Sequence, residues 1–177
     1  KGQDGGAAID QLSHVLSQYL TRTVSWKIRE VTKRLVSAHS IFVLGRGLFL
    51  PCAMIAALNI KEASYSHAEA FAAGELKHGV LALIEKGVPV MLYVDRDDSY
   101  MLNVASEVKS RGAHLVGIAY EDNELFDDFV PMPIVSDPLL AAICGLIPGQ
   151  LIAYHLGIQA GVNPDRPRNL AKSVTVQ

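Results

Sequence analysis

Apolar residues recur at helical spacing twice before residue 38, from Ala7 to Leu20 and from Thr23 to Ala38. In the second stretch Val24, Ile28, Val31 and Leu35 form one stripe. The pattern then shortens. Ser40-Ile-Phe-Val-Leu-Gly45 is a run of branched and aromatic residues ending on glycine, which predicts a buried strand. Pro51 to Lys61 suits a helix with proline in its first turn. Val88 to Val94 predicts a second strand, and His114 to Tyr120 a third. Between them Asp98 is placed to cap a helix carrying Met101, Leu102, Ala105 and Val108 on one face, with Gly112 closing it. Val130 to Val135 predicts a short fourth strand, and its two prolines argue for an edge position.

From Asp137 to Asp165 no charged residue intervenes. A membrane span is one reading of that stretch. Pro148-Gly149-Gln150 interrupts the apolar run and His155 follows, which favours a helix buried all round, in the core or in a subunit interface.

Strands alternating with helices of this length predict a single α/β domain over residues 1–177. The expected architecture is a three-layer α/β/α sandwich with a mainly parallel, flavodoxin-like sheet. Residues 1–38 are its amino-terminal helices and 163–177 a polar tail. Such sheets bind ligands beyond the carboxyl ends of their strands. That rule draws attention to the loops after Gly45, after Val94 and around Ala68 to Gly79.

Composition removes several function classes. Half the residues are hydrophobic and 19% are charged, so the chain is globular. A net charge of -2 offers no basic face for nucleic acid, and no Lys/Arg run marks a membrane surface. Cys52 and Cys144 both lie in apolar stretches. They are expected as free, buried thiols of a cytoplasmic protein. The opening Lys-Gly-Gln-Asp-Gly-Gly is expected to be a linker rather than a natural start.

Gly45-Arg-Gly47 follows a strand but lacks the third glycine of a dinucleotide fingerprint, since position 50 is Leu50; a tight strand-to-helix turn accounts for it. Glu75 and His78 have the Glu-x-x-His spacing of di-iron bundles without the second pair, so no metal is expected. Ser66 to Gly79 gathers carboxylates, imidazoles and a lysine among small residues. Clustered titratable groups suit proton transfer; a polar surface loop with a helix start at Glu75 is the equal alternative.

Gly74-Glu-Leu-Lys-His-Gly79, the Leu44 to Gly47 turn and the ending Asp165-Arg-Pro-Arg-Asn-Leu-Ala-Lys-Ser-Val-Thr-Val176 resemble the carboxy-terminal sugar isomerase domain of the glucosamine-6-phosphate synthase family. The resemblance implies conversion of fructose 6-phosphate and glutamine to glucosamine 6-phosphate and glutamate. It implies a Schiff base between Lys172 and C2 of the opened sugar. It also implies proton movement between C1 and C2 by Glu62, and ring opening by His78 reaching in from a neighbouring subunit. Asn59 and Ala171 are the implied sugar contacts. No cofactor is implied. The implied partners are a first isomerase domain and a glutaminase domain of the same parent chain, and a second copy in a homodimer.

Two departures bear on this. Val80 replaces a proline of the family motif, and Asn59 stands where the family has a lysine that handles a hydroxyl proton, which asparagine cannot titrate. Without the other two domains, this stretch alone is expected to have little activity. A non-catalytic phosphosugar sensor and a related ketosamine-phosphate deaminase or lyase are the alternatives.

Overall fold

A computed structural model describes residues 5–170. Two helices open the chain, α1 (Gly5–Tyr19) and α2 (Arg22–Leu35). The strands are β1 (Ser40–Gly45), β2 (His67–Ala72), β3 (Pro89–Val94), β4 (His114–Ala119) and β5 (Asp128–Pro131). The helices α3 (Leu50–Ser64), α4 (Ser99–Lys109) and α5 (Pro138–Gln159) connect or follow them. All strands are parallel, in the order β2-β1-β3-β4-β5.

Successive side chains of a strand point to opposite faces, and here both faces are covered. Ile41 and Val43 join Met91, Tyr93, Val116 and Ile118 in a core shared with α2, α3 and α5. Phe42 and Leu44 join Val90, Leu92 and Leu115 in a second core beneath α4. The three-layer sandwich follows from that division. Cys52 and Cys144 are both buried and unpaired, and burial pushes the Cys52 thiol up to about 11, so neither is a poised nucleophile.

Three expectations need correction. Ser66 to Gly79 is neither a loop nor the start of an α-helix at Glu75: His67–Ala72 is an edge strand paired with β1, and Ala73–His78 is a 3-10 turn. The last strand begins two residues early and ends at Pro131, although it does lie at an edge. The uncharged stretch is one helix, as expected, with Pro148 inside the 22 residues of α5. Within the single chain α5 is not buried all round in the core, because Leu139, Ile143, Tyr154 and Ile158 are exposed. It is the one described helix long and apolar enough to cross a membrane, yet half of its most apolar window is buried inside the protein.

What seats α5 is a stripe of small residues. Gly145, Gly149, Ala153 and Gly157 recur every fourth position and are all buried. A β-carbon on Gly145 would lie 2.8 Å from the Phe49 ring, and one on Gly149 2.7 Å from Ala56 Cβ; Gly157 abuts the backbone of Ala63. The stripe lets α5 lie flush along α3, since interhelical distance is set by the side chains at the contact. That contact determines where the chain goes next.

Candidate active site

The helix α3 starts from the tight turn after β1. Gly47 there has φ 55°, and a side chain on Gly45 would strike the Phe49 carbonyl oxygen at 2.5 Å. Starting at the carboxyl end of β1, α3 runs back to the amino end of β2, where His67 pairs with Ser40. Asn59 and Glu62 stand three residues apart on its outer face, half-buried.

The chain returns to the same place from α5. Gly161, at φ 71°, closes that helix with a paired terminator: its N–H donates to the Ile158 carbonyl (3.2 Å), and that of Val162 to the Gly157 carbonyl (2.9 Å). Asn163 then organises a turn, accepting at its side-chain oxygen from Asp165 N (3.0 Å) and at its carbonyl from Arg166 N (3.2 Å). The tail crosses the carboxyl end of α3. There Tyr65 Oη accepts a hydrogen bond from Arg168 N at 2.6 Å, and the Arg168 guanidinium lies 4.2 Å over the Tyr65 ring.

Two clefts result, with Glu62 in the wall of both. One, of about 430 Å³, lies between Lys61, Glu62, Tyr65 and the tail residues Arg168, Asn169 and Leu170. The other, of about 250 Å³, lies between Asn59, Glu62, Gln150, Tyr154 and the tail prolines Pro164 and Pro167. The structure thus brings Asn59 and Glu62 together beneath the tail. Lys172 and Ala171 lie outside the described residues. His78 ends its 3-10 turn exposed, and it lines neither cleft.

Glu62 is therefore not at the carboxyl edge of the sheet, where the ligand rule for such folds points. That edge has a separate cleft of about 320 Å³ between Val94–Asp98 and Ala119–Asn123. It is lined by five carboxylates, with Arg96 lying 4.5 Å over the Tyr120 ring. Among the described residues no three His, Cys, Asp or Glu side chains are grouped to hold a metal ion. Tyr65 was not legible as a site residue, because a helix-ending position of this kind usually signals only a turn.

Comparison with known proteins decides the family. The description "SIS domain" matches residues 34–160. The chain belongs to the SIS domain family. Its curated relatives include the glutamine–fructose-6-phosphate aminotransferase (isomerizing) of Pyrococcus horikoshii, 45% identical over 155 residues, covering 85% of this chain and 26% of that protein. The enzyme of the same name from Gloeobacter violaceus is 42% identical over 156 residues, covering 85% of this chain and 26% of that one. Among solved structures, the C-terminal domain of glucosamine-fructose-6-phosphate aminotransferase from Francisella tularensis superposes with a TM-score of 0.78 at 29% identity, covering 89% of this chain and 45% of that one. A glucosamine-6-phosphate deaminase from Thermotoga maritima gives 0.67 at 28%, covering 86% and 45%. This SIS domain is homologous to the isomerase portion of the aminotransferases, and it spans about a quarter of the length of the curated relatives.

Proposed function

We propose that this SIS domain is the tail-bearing half of the isomerase in an enzyme that makes glucosamine 6-phosphate from fructose 6-phosphate and glutamine. The observation that carries this reading is the path of the tail. It is laid over Asn59 and Glu62, and Leu170, two residues before Lys172, lines a cleft with Glu62.

In this reading the Lys172 amine attacks C2 of the open ketose, and water leaves to form the imine. Ammonia released from glutamine then displaces the lysine at C2. Glu62, as carboxylate, removes a proton from C1 and returns one to C2, which converts the ketose imine into the amino aldose. His78 opens the sugar ring, Asn59 and Ala171 contact the sugar, and Asn59 hydrogen-bonds without exchanging a proton. Because His78 lines neither Glu62 cleft within one chain, the reading needs His78 of a second copy, hence a homodimer. A first isomerase domain and a glutaminase domain complete the parent protein, a reading supported by the small share of its relatives that this chain spans. Met54 and Leu58 on α3 and Ile143 and Tyr154 on α5 are exposed large side chains available for such contacts. Two unpaired buried thiols support a reducing, cytoplasmic setting. On its own the chain is expected to turn over little substrate.

Borohydride trapping of the complete parent protein with fructose 6-phosphate, followed by peptide mapping, tests this. A sugar adduct on Lys172 that disappears in Lys172→Arg is the expected result. Glu62→Gln should still trap sugar while product formation falls by about 10²–10⁴-fold. No adduct, with sugar binding intact, would leave a phosphosugar sensor instead. The likeness to the Thermotoga deaminase favours a second reading, deamination of an aminosugar phosphate. Turnover of fructose 6-phosphate that depends on glutamine excludes it.

A further inference from the structure

Tyr65 ends α3 in the left-handed region, with φ 60° and ψ 13°, a conformation disfavoured for any residue that carries a β-carbon. Its backbone N–H closes the helix on the Lys61 carbonyl at 3.1 Å, a task that glycine performs with less strain. The side chain is engaged elsewhere. Its hydroxyl accepts the Arg168 backbone N–H at 2.6 Å, and its ring lies 4.2 Å beneath the Arg168 guanidinium. One phenol therefore grips a single tail residue at two points, by its main chain and by its cation. Tyr65 also follows Glu62 by one helical turn's spacing, so the grip and the carboxylate share one rigid element.

We propose that Tyr65 is a positioning residue, a latch that holds the tail across the end of α3 so that Lys172 remains within reach of Glu62. Lys172 lies four positions beyond Arg168, and an extended chain of that length spans at most about 14 Å. Fixing Arg168 thus confines the lysine to the neighbourhood of the clefts and raises its effective concentration there. The proposal rests on the reading that Lys172 and Glu62 carry the chemistry, whereas the latch itself is observable without it.

Two substitutions separate this role from ordinary packing. Tyr65→Phe keeps the ring and removes only the acceptor. Tyr65→Gly removes both contacts but suits the backbone. In the complete parent protein, hydrogen exchange at the Arg168 amide should quicken roughly fivefold in Tyr65→Phe and further in Tyr65→Gly. Thermal stability of Tyr65→Gly should be unchanged or higher. The kcat should fall in the same order, with KM for fructose 6-phosphate within about twofold of the original. Unchanged exchange in both variants would overturn the latch whatever the activity. Faster exchange with unchanged kcat would overturn the positioning role. Full activity in Lys172→Arg is a different failure, that of the underlying mechanism, and the exchange measurement does not depend on it.

Discussion

At position 149 there is room for a hydrogen atom and little else. A methyl group there would lie 2.6 Å from Tyr93 Oη, and the Ala56 backbone stands behind it. Tyr93 is wholly buried, and its hydroxyl has no hydrogen-bond partner of normal geometry among the described residues, so it has nowhere to retreat. Gly149→Ala should destabilise the fold by about 1–3 kcal/mol, seen as a lower Tm with little change in helical circular dichroism. His155 gives a second prediction at this scale. Burial, and then the Arg29 charge, hold its imidazole below the ordinary 6.5, and Ser25 Oγ lies 3.0 Å from its Nε2. On acidification the unfolded chain takes up that proton before the folded one does. Stability should therefore drop as pH falls through about 6.5, and level off once the folded imidazole titrates too. Thermal melts at pH 7.5 and 5.5 should show a smaller drop in His155→Gln than in the original chain. Single residues of the candidate site were the least legible feature in the sequence. Glu62 and Lys172 stood out through the family motif alone, because a carboxylate on a helix and a lysine near a terminus have ordinary solvated readings.

Elements whose ends carry their own chemistry were read closely. Asp98 does cap α4, accepting from Met101 N at 3.1 Å, and its Met101, Ala105 and Val108 stripe is buried. Asp98→Ala should cost about 1 kcal/mol in chemical denaturation. Loss of the exposed 3.4 Å pair with Arg46 should add little. The strand β2 escaped because its pattern, His-Ala-Glu-Ala-Phe-Ala, alternates alanine with two polar residues and only one large apolar one. Alanine has weak strand propensity, and only pairing with β1 fixes the segment. The helix α5 was legible as a helix, but its uncharged composition hid which side is seated. The four-residue recurrence of Gly145, Gly149, Ala153 and Gly157 marks the face that lies on α3.

For the whole molecule, alternating strands and helices were enough to give the parallel three-layer sandwich. The ligand rule that accompanies such sheets points to the opposite end of the sheet from Glu62, whose clefts form where the tail crosses α3 rather than at the strand edges. If His78 serves the neighbouring copy's Lys172, two inactive forms of the complete protein should rescue one another. Mixing His78→Ala with Lys172→Arg under exchange should restore about a quarter of the original activity, since half the dimers are mixed and one site in each is intact. No recovery would place His78 in its own chain's site or outside the chemistry.

The interior position of β1 in an all-parallel sheet also has a consequence for biogenesis. Parallel neighbours cannot be joined by a hairpin, so β1 acquires its first partner only after α3 has been made, and its second only once residue 94 has emerged. During synthesis Ile41 to Leu44 therefore present two unpaired edges until β2 emerges and one until β3 does, a total of roughly fifty residues' worth of translation, on the order of several seconds. Such long-range closure belongs to the slow class of folding reactions. Nascent chains halted near residue 90 should accordingly be bound by chaperones far more than chains halted past β5.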